Sequence, residues 1–197
     1  MASKPASKLV ILDRDGVINE DSDHYIKSPD EWKPIPGSLE AIAKLNQAGY
    51  QIAVATNQSG VGRGLYDMDT LNAIHEKFHR LLNKVGGHVD AIFFCPHTDA
   101  DLCHCRKPLP GMIEQIAQRY GISIKGVPIV GDSVRDLVAG VTVGAEPHLV
   151  LTGKGEKARA SGELPPYTAI HQDLMAFANH FIPVSYTHLT LPTTPYV

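Results

Sequence analysis

Two aspartates that directly follow a short apolar run are the residues of this sequence best placed for chemistry. Asp13 and Asp15 come after Leu9–Leu12, with Arg14 between them and Gly16 behind them. If the run is a buried strand, side-chain alternation points both carboxylates to one side and Arg14 to the other. Two close carboxylates repel each other unless a cation or a proton stabilises the pair. The pattern predicts a site for Mg²⁺, which prefers oxygen ligands and substrate phosphate, although a solvated turn is the alternative.

Polar residues also follow the next predicted strand, at residues 51–55. Hydroxyl, amide and backbone N–H groups come directly after it, in Thr56, Asn57, Gln58 and Ser59. These groups can bind a phosphate, but the same residue types fill ordinary loops, so the stretch alone is weak evidence. Arg63 lies between two glycines and is either a second phosphate ligand or a surface arginine.

A further strand, predicted at residues 126–130, also ends in an acid. Asp132 follows it, and Asp136 comes four residues later at the start of a predicted helix. Because ligands collect at the carboxyl ends of strands in open α/β sheets, we expect Asp132 to complete the magnesium site. Asp136 either orients Lys107 or a metal-bound water, or is a first-turn acid favoured by the helix dipole.

All three cysteines fall within eleven residues, which is not the pattern of a disulfide framework. Together with one histidine they form two pairs separated by five residues: Cys95, His97, Cys103 and Cys105. This spacing suits a loop that folds around tetrahedral Zn²⁺, and four protein ligands leave no open position, so we expect a structural zinc site. His104 is the competing imidazole, less suitable because it lies between two ligands.

Two cations and a polar loop are candidates for the substrate site. Arg106 and Lys107 directly follow the last cysteine, so a zinc-bound loop would hold them beside the pocket. Lysine suits a phosphoryl oxygen, and the arginine fork suits bidentate phosphate binding. The loop at residues 20–33 supplies three further candidates, with a merely solvated loop as the alternative: Asp21, His24 and Tyr25.

Two other features are expected to have no role in chemistry. His75 and His79 lie four residues apart on a predicted helix, but no third metal ligand is evident near them, so we expect an ordinary half-exposed helix. Lys154 lies in a glycine-flanked segment that can reach substrate, and we expect this segment to be a solvated loop.

Alternating strands and helices must position all of these residues. The apolar, β-branched runs predict strands buried on both faces, as in a parallel sheet. They lie at residues 9–12, 51–55, 89–94, 126–130 and 147–151. Helical spacing of apolar residues predicts helices from Ser38, the expected N-cap, to Gly49, and at residues 67–83, 110–120 and 170–181.

Length and charge exclude several classes of function. The 197 residues suit one α/β domain, which we expect at residues 8–182, before a Thr/Pro-rich tail at 183–197 that is disordered or not native. A net charge of -3 gives no case for nucleic acid or anionic membrane as partner. The sequence has no apolar run long enough to span a bilayer and no signal-peptide core, so we expect a cytoplasmic protein, and a monomer.

Taken together, the motifs resemble the haloacid dehalogenase superfamily of phosphotransferases over about residues 9–151. The matching elements are Asp-x-Asp-Gly, the threonine after the second strand, Lys107 and Gly-Asp-x-x-x-Asp. Leu-Asp-Arg-Asp-Gly-Val-Ile-Asn, Thr-Asn-Gln-Ser-Gly and the Cys-x-His…Cys-x-Cys-Arg-Lys-Pro loop resemble the D-glycero-D-manno-heptose 1,7-bisphosphate 7-phosphatase family. The resemblance implies an α/β fold: a Rossmann-like, three-layer arrangement with a mainly parallel sheet of order 3-2-1-4-5, a zinc-binding loop and no large cap domain.

The resemblance also implies roles for the residues. Asp13 would be the nucleophile that forms an aspartyl-phosphate, and Asp15 the general acid and base. Asp13, the backbone carbonyl of Asp15 and Asp132 would hold the catalytic Mg²⁺. Thr56 and Lys107 would bind the phosphoryl group. Arg106 would bind the sugar end of the substrate, which is a phosphorylated sugar. The other candidate substrate-binding residues are Asp21, His24 and Tyr25 of the polar loop, and Asn57, Gln58, Ser59 and Arg63.

Three functions are consistent with these motifs. The first is removal of the 7-phosphate of heptose bisphosphate in ADP- or GDP-heptose biosynthesis, which supplies lipopolysaccharide core or surface glycan. The second is hydrolysis of histidinol phosphate in histidine biosynthesis, which the absence of a fused second enzyme domain disfavours. The third, an inactive zinc-stabilised binding module, would not require the catalytic residues to be intact. Ser133 stands where some family members carry lysine, so one substrate cation is either missing or supplied elsewhere, by Arg63 or Arg135. This leaves the preferred anomer open.

Overall fold

A six-stranded parallel sheet forms the centre of the computed structural model, which describes residues 8–183. The strands are β1 (Leu9–Leu12), β2 (Gln51–Asn57), β3 (Ala91–Cys95), β4 (Pro128–Gly131), β5 (Glu146–Val150) and β6 (Ala169–His171). Their spatial order is β3-β2-β1-β4-β5-β6, and every neighbouring pair is parallel. The predicted order 3-2-1-4-5 is therefore confirmed, with a sixth strand added at one edge.

Seven α-helices connect and cover the strands of the described chain. They are α1 (Ser38–Gln47), α2 (Ser59–Gly62), α3 (Met68–Lys84), α4 (Gly111–Tyr120), α5 (Val134–Val141), α6 (Gly155–Ser161) and α7 (Leu174–Phe181). The helices predicted around residues 67–83 and 110–120 are confirmed. None of these helices is long and apolar enough to cross a membrane. The tail expected from residue 183 lies, from residue 184 onward, outside the described residues.

Strand β1 is apolar throughout because the sheet is covered on both faces. Val10 and Leu12 belong to a core cluster with residues of α1, α3 and α7, whereas Leu9 and Ile11 belong to a cluster with residues of α4. All four side chains are essentially inaccessible to solvent. Successive side chains point to opposite faces of a strand, so a continuous apolar run is what a buried central strand requires.

Three predictions about element boundaries were wrong. Residues 169–171 pair with β5 as a strand instead of beginning a helix, and α7 starts later, where the Asp173 side chain accepts a hydrogen bond from Ala176 N–H. Gly155, expected in a solvated loop, begins α6. Ser38 is the first residue of α1 rather than its cap, and its Oγ donates to the Ile18 carbonyl at 2.5 Å. The pairing with β5 and the contact of Ser38 with Ile18 join segments far apart in the chain, so neither is visible in local sequence.

Candidate active site

Most of the predicted site residues line one cavity at the carboxyl ends of β1, β2 and β4. They are Asp13, Asp15, Asp21, Tyr25, Thr56, Asn57, Gln58, Ser59, Arg106, Lys107 and Asp132. His24 and Arg63, proposed from sequence as substrate contacts, are exposed and do not line it. The cavity also contains three residues for which the sequence indicated only alternative roles: Arg135, Asp136 and Lys154. Four further lining residues were not predicted: Ser22, Asp23, Ile26 and Tyr66. The structure therefore brings the separate motifs together at the sheet edge where ligands of α/β folds bind.

Lys107 is a buried cation between two carboxylates. Its Nζ donates to Asp13 Oδ1 at 2.8 Å and to the Ala55 carbonyl at 2.7 Å, and lies 2.7 Å from Asp136 Oδ1. Burial alone lowers the pKa of Lys107, but the two carboxylates outweigh it and the pKa is raised. The ammonium therefore stays charged, with its three donors each directed at an acceptor.

Asn57 fixes the backbone of Lys107. Its Nδ2 donates to the Lys107 carbonyl and its Oδ1 accepts from the Lys107 N–H, both at 3.1 Å. This reciprocal pair connects the end of β2 to the loop that precedes α4. The Asn57 amide, predicted from the sequence as a substrate ligand, is thus hydrogen-bonded to the Lys107 backbone.

Asp13, Asp132 and Asp136 place one carboxylate oxygen each within 4.8 Å of one another. Burial, then the Asp136 charge, raise the pKa of Asp13 to about 7 despite the nearby lysine. Burial, Asp136 and Asp13 raise the pKa of Asp132 to about 8. Three crowded carboxylates disfavour one another's charge, and a divalent cation bound among them would relieve this repulsion. The donor set therefore suits a hard metal ion.

Glycines make room for Asp132 in this cluster. A Cβ at Gly16 or at Gly153 would collide with Asp132 Oδ2, and both glycines have positive φ, of 82° and 57°. The same oxygen accepts a hydrogen bond from the Lys154 N–H at 2.8 Å. The turn after β1 and the loop after β5 thus close around one carboxylate.

Asp136 combines two roles that the sequence offered as alternatives. Its Oδ2 accepts from Ser133 N–H at 3.0 Å and from Ser133 Oγ at 2.6 Å, which forms a capping box at the start of α5. Its Oδ1 pairs with Lys107. Burial would raise the pKa of Asp136, but Lys107 and Ser133 outweigh it and the pKa is lowered. In the sequence, Asp136 was marked as a candidate site residue by its place at the end of the Gly-Asp-x-x-x-Asp motif.

Asp15 accepts hydrogen bonds from three neighbouring side chains. Arg14 Nε and Nη2 donate to its Oδ1 at 3.1 and 3.0 Å, Asn19 Nδ2 donates to the same oxygen at 2.8 Å, and Gln58 Nε2 donates to Oδ2 at 2.9 Å. Burial would raise the pKa of Asp15, but these donors outweigh it and the pKa is lowered. The expectation that Arg14 points away from Asp15 was wrong, because the chain leaves the regular strand after Leu12.

Thr56 and Tyr66 extend this network. Gln58 Nε2 also donates to Thr56 Oγ1 at 2.8 Å, and the Tyr66 hydroxyl donates to Gln58 Oε1 at 2.7 Å. Burial raises the pKa of Tyr66 to about 12, so its hydroxyl keeps its proton. No local sequence pattern marked Tyr66, which lies between α2 and α3.

Cations and acids alternate around the mouth of the cavity. Lys154 Nζ lies 2.9 Å from Asp21 Oδ2 and 3.5 Å from Asp23 Oδ1, so the segment expected to be merely solvated contacts the loop after β1. Arg106 Nε lies 2.6 Å from Asp99 Oδ1. These ion pairs hold positive charge beside the cavity, where an anionic group of a substrate would bind.

A second candidate metal site lies in the loop after β3. One ligand atom each of Cys95, His97, Cys103 and Cys105 falls within 4.8 Å of the others. The sulfur–sulfur separations are 3.2–3.6 Å, and His97 Nδ1 lies 3.5 and 3.3 Å from two of the sulfurs. A tetrahedral ion with metal–sulfur bonds of about 2.3 Å needs sulfurs roughly 3.8 Å apart, so the cluster has suitable dimensions. His104 points elsewhere, with Nε2 2.8 Å from Glu114 Oε2.

Comparison with known proteins identifies what the chain is similar to. A family model described as haloacid dehalogenase-like hydrolase matches residues 5–144. D-glycero-beta-D-manno-heptose-1,7-bisphosphate 7-phosphatases are similar over 89% of this chain: that of Bordetella bronchiseptica is 58% identical and covered over 98% of its length, and that of Pseudomonas putida is 54% identical and covered over 99%.

Solved structures agree with these sequence relatives. The D,D-heptose 1,7-bisphosphate phosphatase from B. bronchiseptica, complexed with magnesium and phosphate, superposes with a TM-score of 0.88 at 58% identity, covering 88% of this chain and 97% of that one. The corresponding phosphatase from Burkholderia thailandensis gives a TM-score of 0.72 at 55% identity, covering 89% and 98%.

Proposed function

Because this chain belongs to the haloacid dehalogenase-like hydrolase family, we propose that it is a phosphatase that removes the 7-phosphate of D-glycero-D-manno-heptose 1,7-bisphosphate. The observation that carries this proposal is 58% identity to an enzyme of that name over 89% of the chain. The enzyme would serve ADP- or GDP-heptose biosynthesis, in which the 1-phosphate must survive for later activation.

Hydrolysis proceeds in two displacements on phosphorus. An Asp13 carboxylate oxygen attacks the 7-phosphoryl group and forms an aspartyl-phosphate, while the bond from phosphorus to the sugar oxygen breaks. Asp15 must enter this step in its protonated form, against the donors that lower its pKa, and it gives that proton to the departing alkoxide. It then takes a proton from water, whose oxygen attacks phosphorus, and the phosphorus–Asp13 bond breaks to release phosphate and restore the carboxylate.

Fixed positive charge allows one anion to attack another. Lys107 lies 2.8 Å from Asp13 and is held there by Asp136, so its charge is in place before the phosphoryl group arrives. Thr56, at the tip of β2, supplies a hydroxyl to the same group. Because these groups are preorganised, they need no rearrangement as negative charge moves across the phosphoryl oxygens.

The carboxylate cluster fits a magnesium ion. The ion would be held by the side chains of Asp13 and Asp132 and by the backbone carbonyl of Asp15. Asp136, which already forms an ion pair with Lys107, would lie behind these ligands. When bound, the ion supplies positive charge against the nucleophile and the phosphoryl oxygens. A related phosphatase, 58% identical, has been crystallised with magnesium and phosphate, which supports this assignment.

Zinc fits the Cys/His cluster and has a structural role in this proposal. Its four ligands fill a tetrahedral shell, so the ion would stabilise the loop without touching substrate. Cys105 is followed directly by Arg106 and Lys107. Metal binding would therefore fix the phosphoryl-binding lysine and place Arg106 toward the sugar end. Reduced thiols are required, which suits a cytoplasmic enzyme.

The sugar end would be bound by the rim of the cavity. A second phosphate requires cations, which are supplied by Arg106, Arg135 and Lys154. Arg135 takes the role of the lysine that some family members carry at the position of Ser133. Asp21, Tyr25 and Ser59 offer polar groups to the sugar hydroxyls. The relatives with 52–58% identity are named for the beta anomer, so we assign the beta anomer to this enzyme. The unit is a single domain at residues 8–182 and acts as a monomer.

Phosphate release from two substrates tests the proposal. Heptose 1,7-bisphosphate, as separate alpha and beta anomers, is compared with histidinol phosphate, each with magnesium and after chelation. We expect magnesium-dependent release from the beta anomer, with the 1-phosphate retained. Preference for histidinol phosphate would replace the substrate assignment, and no release from either would favour a binding module.

A further inference from the structure

Arg14 is among the largest fully buried side chains of the described residues, although it lies between two aspartates of the catalytic motif. Neighbours in a strand point to opposite faces, so contact between Arg14 and Asp15 requires the chain to leave the strand. It does so in a turn whose amides converge on one acceptor: the Arg14 carbonyl accepts from Val17, Ile18 and Asn19 N–H at 3.4, 2.8 and 3.2 Å. The turn thus fixes both the backbone and the direction of the side chain.

The guanidinium holds Asp15 in one orientation. Nε and Nη2 lie 3.1 and 3.0 Å from Oδ1, and Nη2 also lies 3.2 Å from Oδ2. With the amide of Asn19, Oδ1 receives three donors, whereas Oδ2 receives two: Gln58 Nε2 at 2.9 Å and the shared Arg14 Nη2 at 3.2 Å. A carboxylate oxygen offers about two lone-pair sites, so Oδ1 is saturated. Oδ2 is the oxygen on which a proton can replace a contact, because its longer bond comes from a donor that Oδ1 already shares.

His75 holds the other end of the guanidinium. Its Nε2 lies 3.2 Å from Arg14 Nη1. A guanidinium has donors and no acceptor, so Nε2 must accept, and the ring is neutral with its proton on Nδ1. His75 lies on α3, far from Asp15 in sequence, and connects the catalytic turn to the helical layer. This contact accounts for one histidine of the i, i+4 pair without a metal.

We propose that Arg14, fixed by His75, is a positioning residue that saturates Asp15 Oδ1 and so directs proton transfer through Oδ2. This inference rests on the proposed function, in which Asp15 protonates the departing alkoxide. The requirement is directional: a lysine supplies the charge, but not the planar fork that spans Nε and Nη2. Misdirection of the carboxylate slows the step that needs a proton and leaves substrate binding unchanged.

The test compares leaving groups in single-turnover experiments. A sugar alkoxide must be protonated as it leaves, whereas p-nitrophenolate is a weak base and leaves without a proton. The variants are Arg14→Lys and Arg14→Met, together with His75→Leu and His75→Gln in case the buried arginine is needed for folding. His79→Leu is the matched control, one turn along the same helix, where the ring stacks on Phe78.

We expect Arg14→Met to slow release of the sugar about 100-fold, at the lower end of the range that general acid–base catalysis contributes. His75→Leu acts only through Arg14, so we expect a smaller loss, about 10-fold. Arg14→Lys should resemble Arg14→Met more than the wild type. His75→Gln, whose Oε1 can accept from Nη1, should recover most of the loss. KM, measured separately in the steady state, and the single-turnover rate of p-nitrophenol release should change by less than about 3-fold.

Equal losses of rate with both leaving groups, or a rise in KM alone, would overturn the positioning role and indicate a structural one. So would full activity of every variant. A wild-type enzyme that leaves heptose bisphosphate intact but hydrolyses another alkyl phosphate would contradict the substrate assignment only, because the same leaving-group comparison then applies to that alkyl phosphate.

Discussion

Replacing Lys107 with methionine removes a buried cation and leaves Asp13 and Asp136 without their shared partner. The lysine side chain is 2% exposed, so water does not take over its role. Breaking a buried ion pair by removing one partner costs about 3–5 kcal/mol. In a domain of this size 1 kcal/mol corresponds to about 2–4 °C in melting temperature, so the metal-free variant should melt roughly 6–20 °C below the wild type.

The same substitution should impair catalysis. Lys107 is a preorganised charge beside the nucleophile, and loss of one such group costs about 10²–10³-fold in kcat. The loss of stability in the variant should depend on pH, in a direction that follows from the carboxylate pKa values. Lys107 lowers the pKa of Asp13 and of Asp136 against the effect of burial, so without it we expect both pKa values to exceed those of the unfolded chain. Both carboxylates would then contribute full stability at acid pH, where they are protonated. The deficit should therefore grow as the pH rises toward 8.

Thermal unfolding in chelator, over a series of pH values, and phosphate release with magnesium measure the two effects. Lys154→Met is the control for stability, because that side chain is 40% exposed and pairs with Asp21 near the surface. Such a pair is worth about 1 kcal/mol or less. A Lys107→Met protein that melts with the wild type at pH 8 and keeps its kcat would refute the reasoning from the buried ion cluster.

Three further predictions follow from the site. Asp13→Asn should abolish turnover while circular dichroism and melting remain near those of the wild type, because Asp136 stays as a charged partner of Lys107; full activity would contradict covalent catalysis. The purified protein should contain about one zinc per chain by elemental analysis, and Cys103→Ser should lower this content and the melting temperature; a stable, active, zinc-free wild type would contradict the zinc assignment. Burial and neighbouring carboxylates raise the pKa of Asp13 to about 7 and of Asp132 to about 8, so their contribution to stability is full below about pH 4 and is lost as pH rises through 7 to 8. Metal-free protein should therefore gain more melting temperature from magnesium at about pH 8 than at about pH 6, and an equal gain at both would count against the carboxylate cluster.

The strand tips were predictable because each motif combines a local strand signal with polar residues at its carboxyl end. Asp13, Thr56 and Asp132 all follow short apolar runs, and parallel strands bring such ends to one edge. Lys107 follows no strand directly. Its place beside Asp13 was implied by family resemblance, and the structure shows the reciprocal hydrogen bonds to Asn57 that hold it there.

Other features had no local signal. Strand β6 has three residues, and only pairing with β5 distinguishes it from the start of a helix. Tyr66 and Lys154 reach the cavity from segments that read as loop or linker. Alternation along an ideal strand placed Arg14 on the wrong side, because the rule fails once the chain turns.

The sequence by itself determined the layered α/β class, the parallel sheet and the identity of the chemical groups, because burial periodicity and residue type are local properties. The tertiary structure decided which groups touch. Asp136 became the second partner of Lys107, His75 became the acceptor for Arg14, and the loop after β5 closed on Asp132. These contacts depend on distances between segments far apart in the chain, which helix and strand packing sets and no local pattern records.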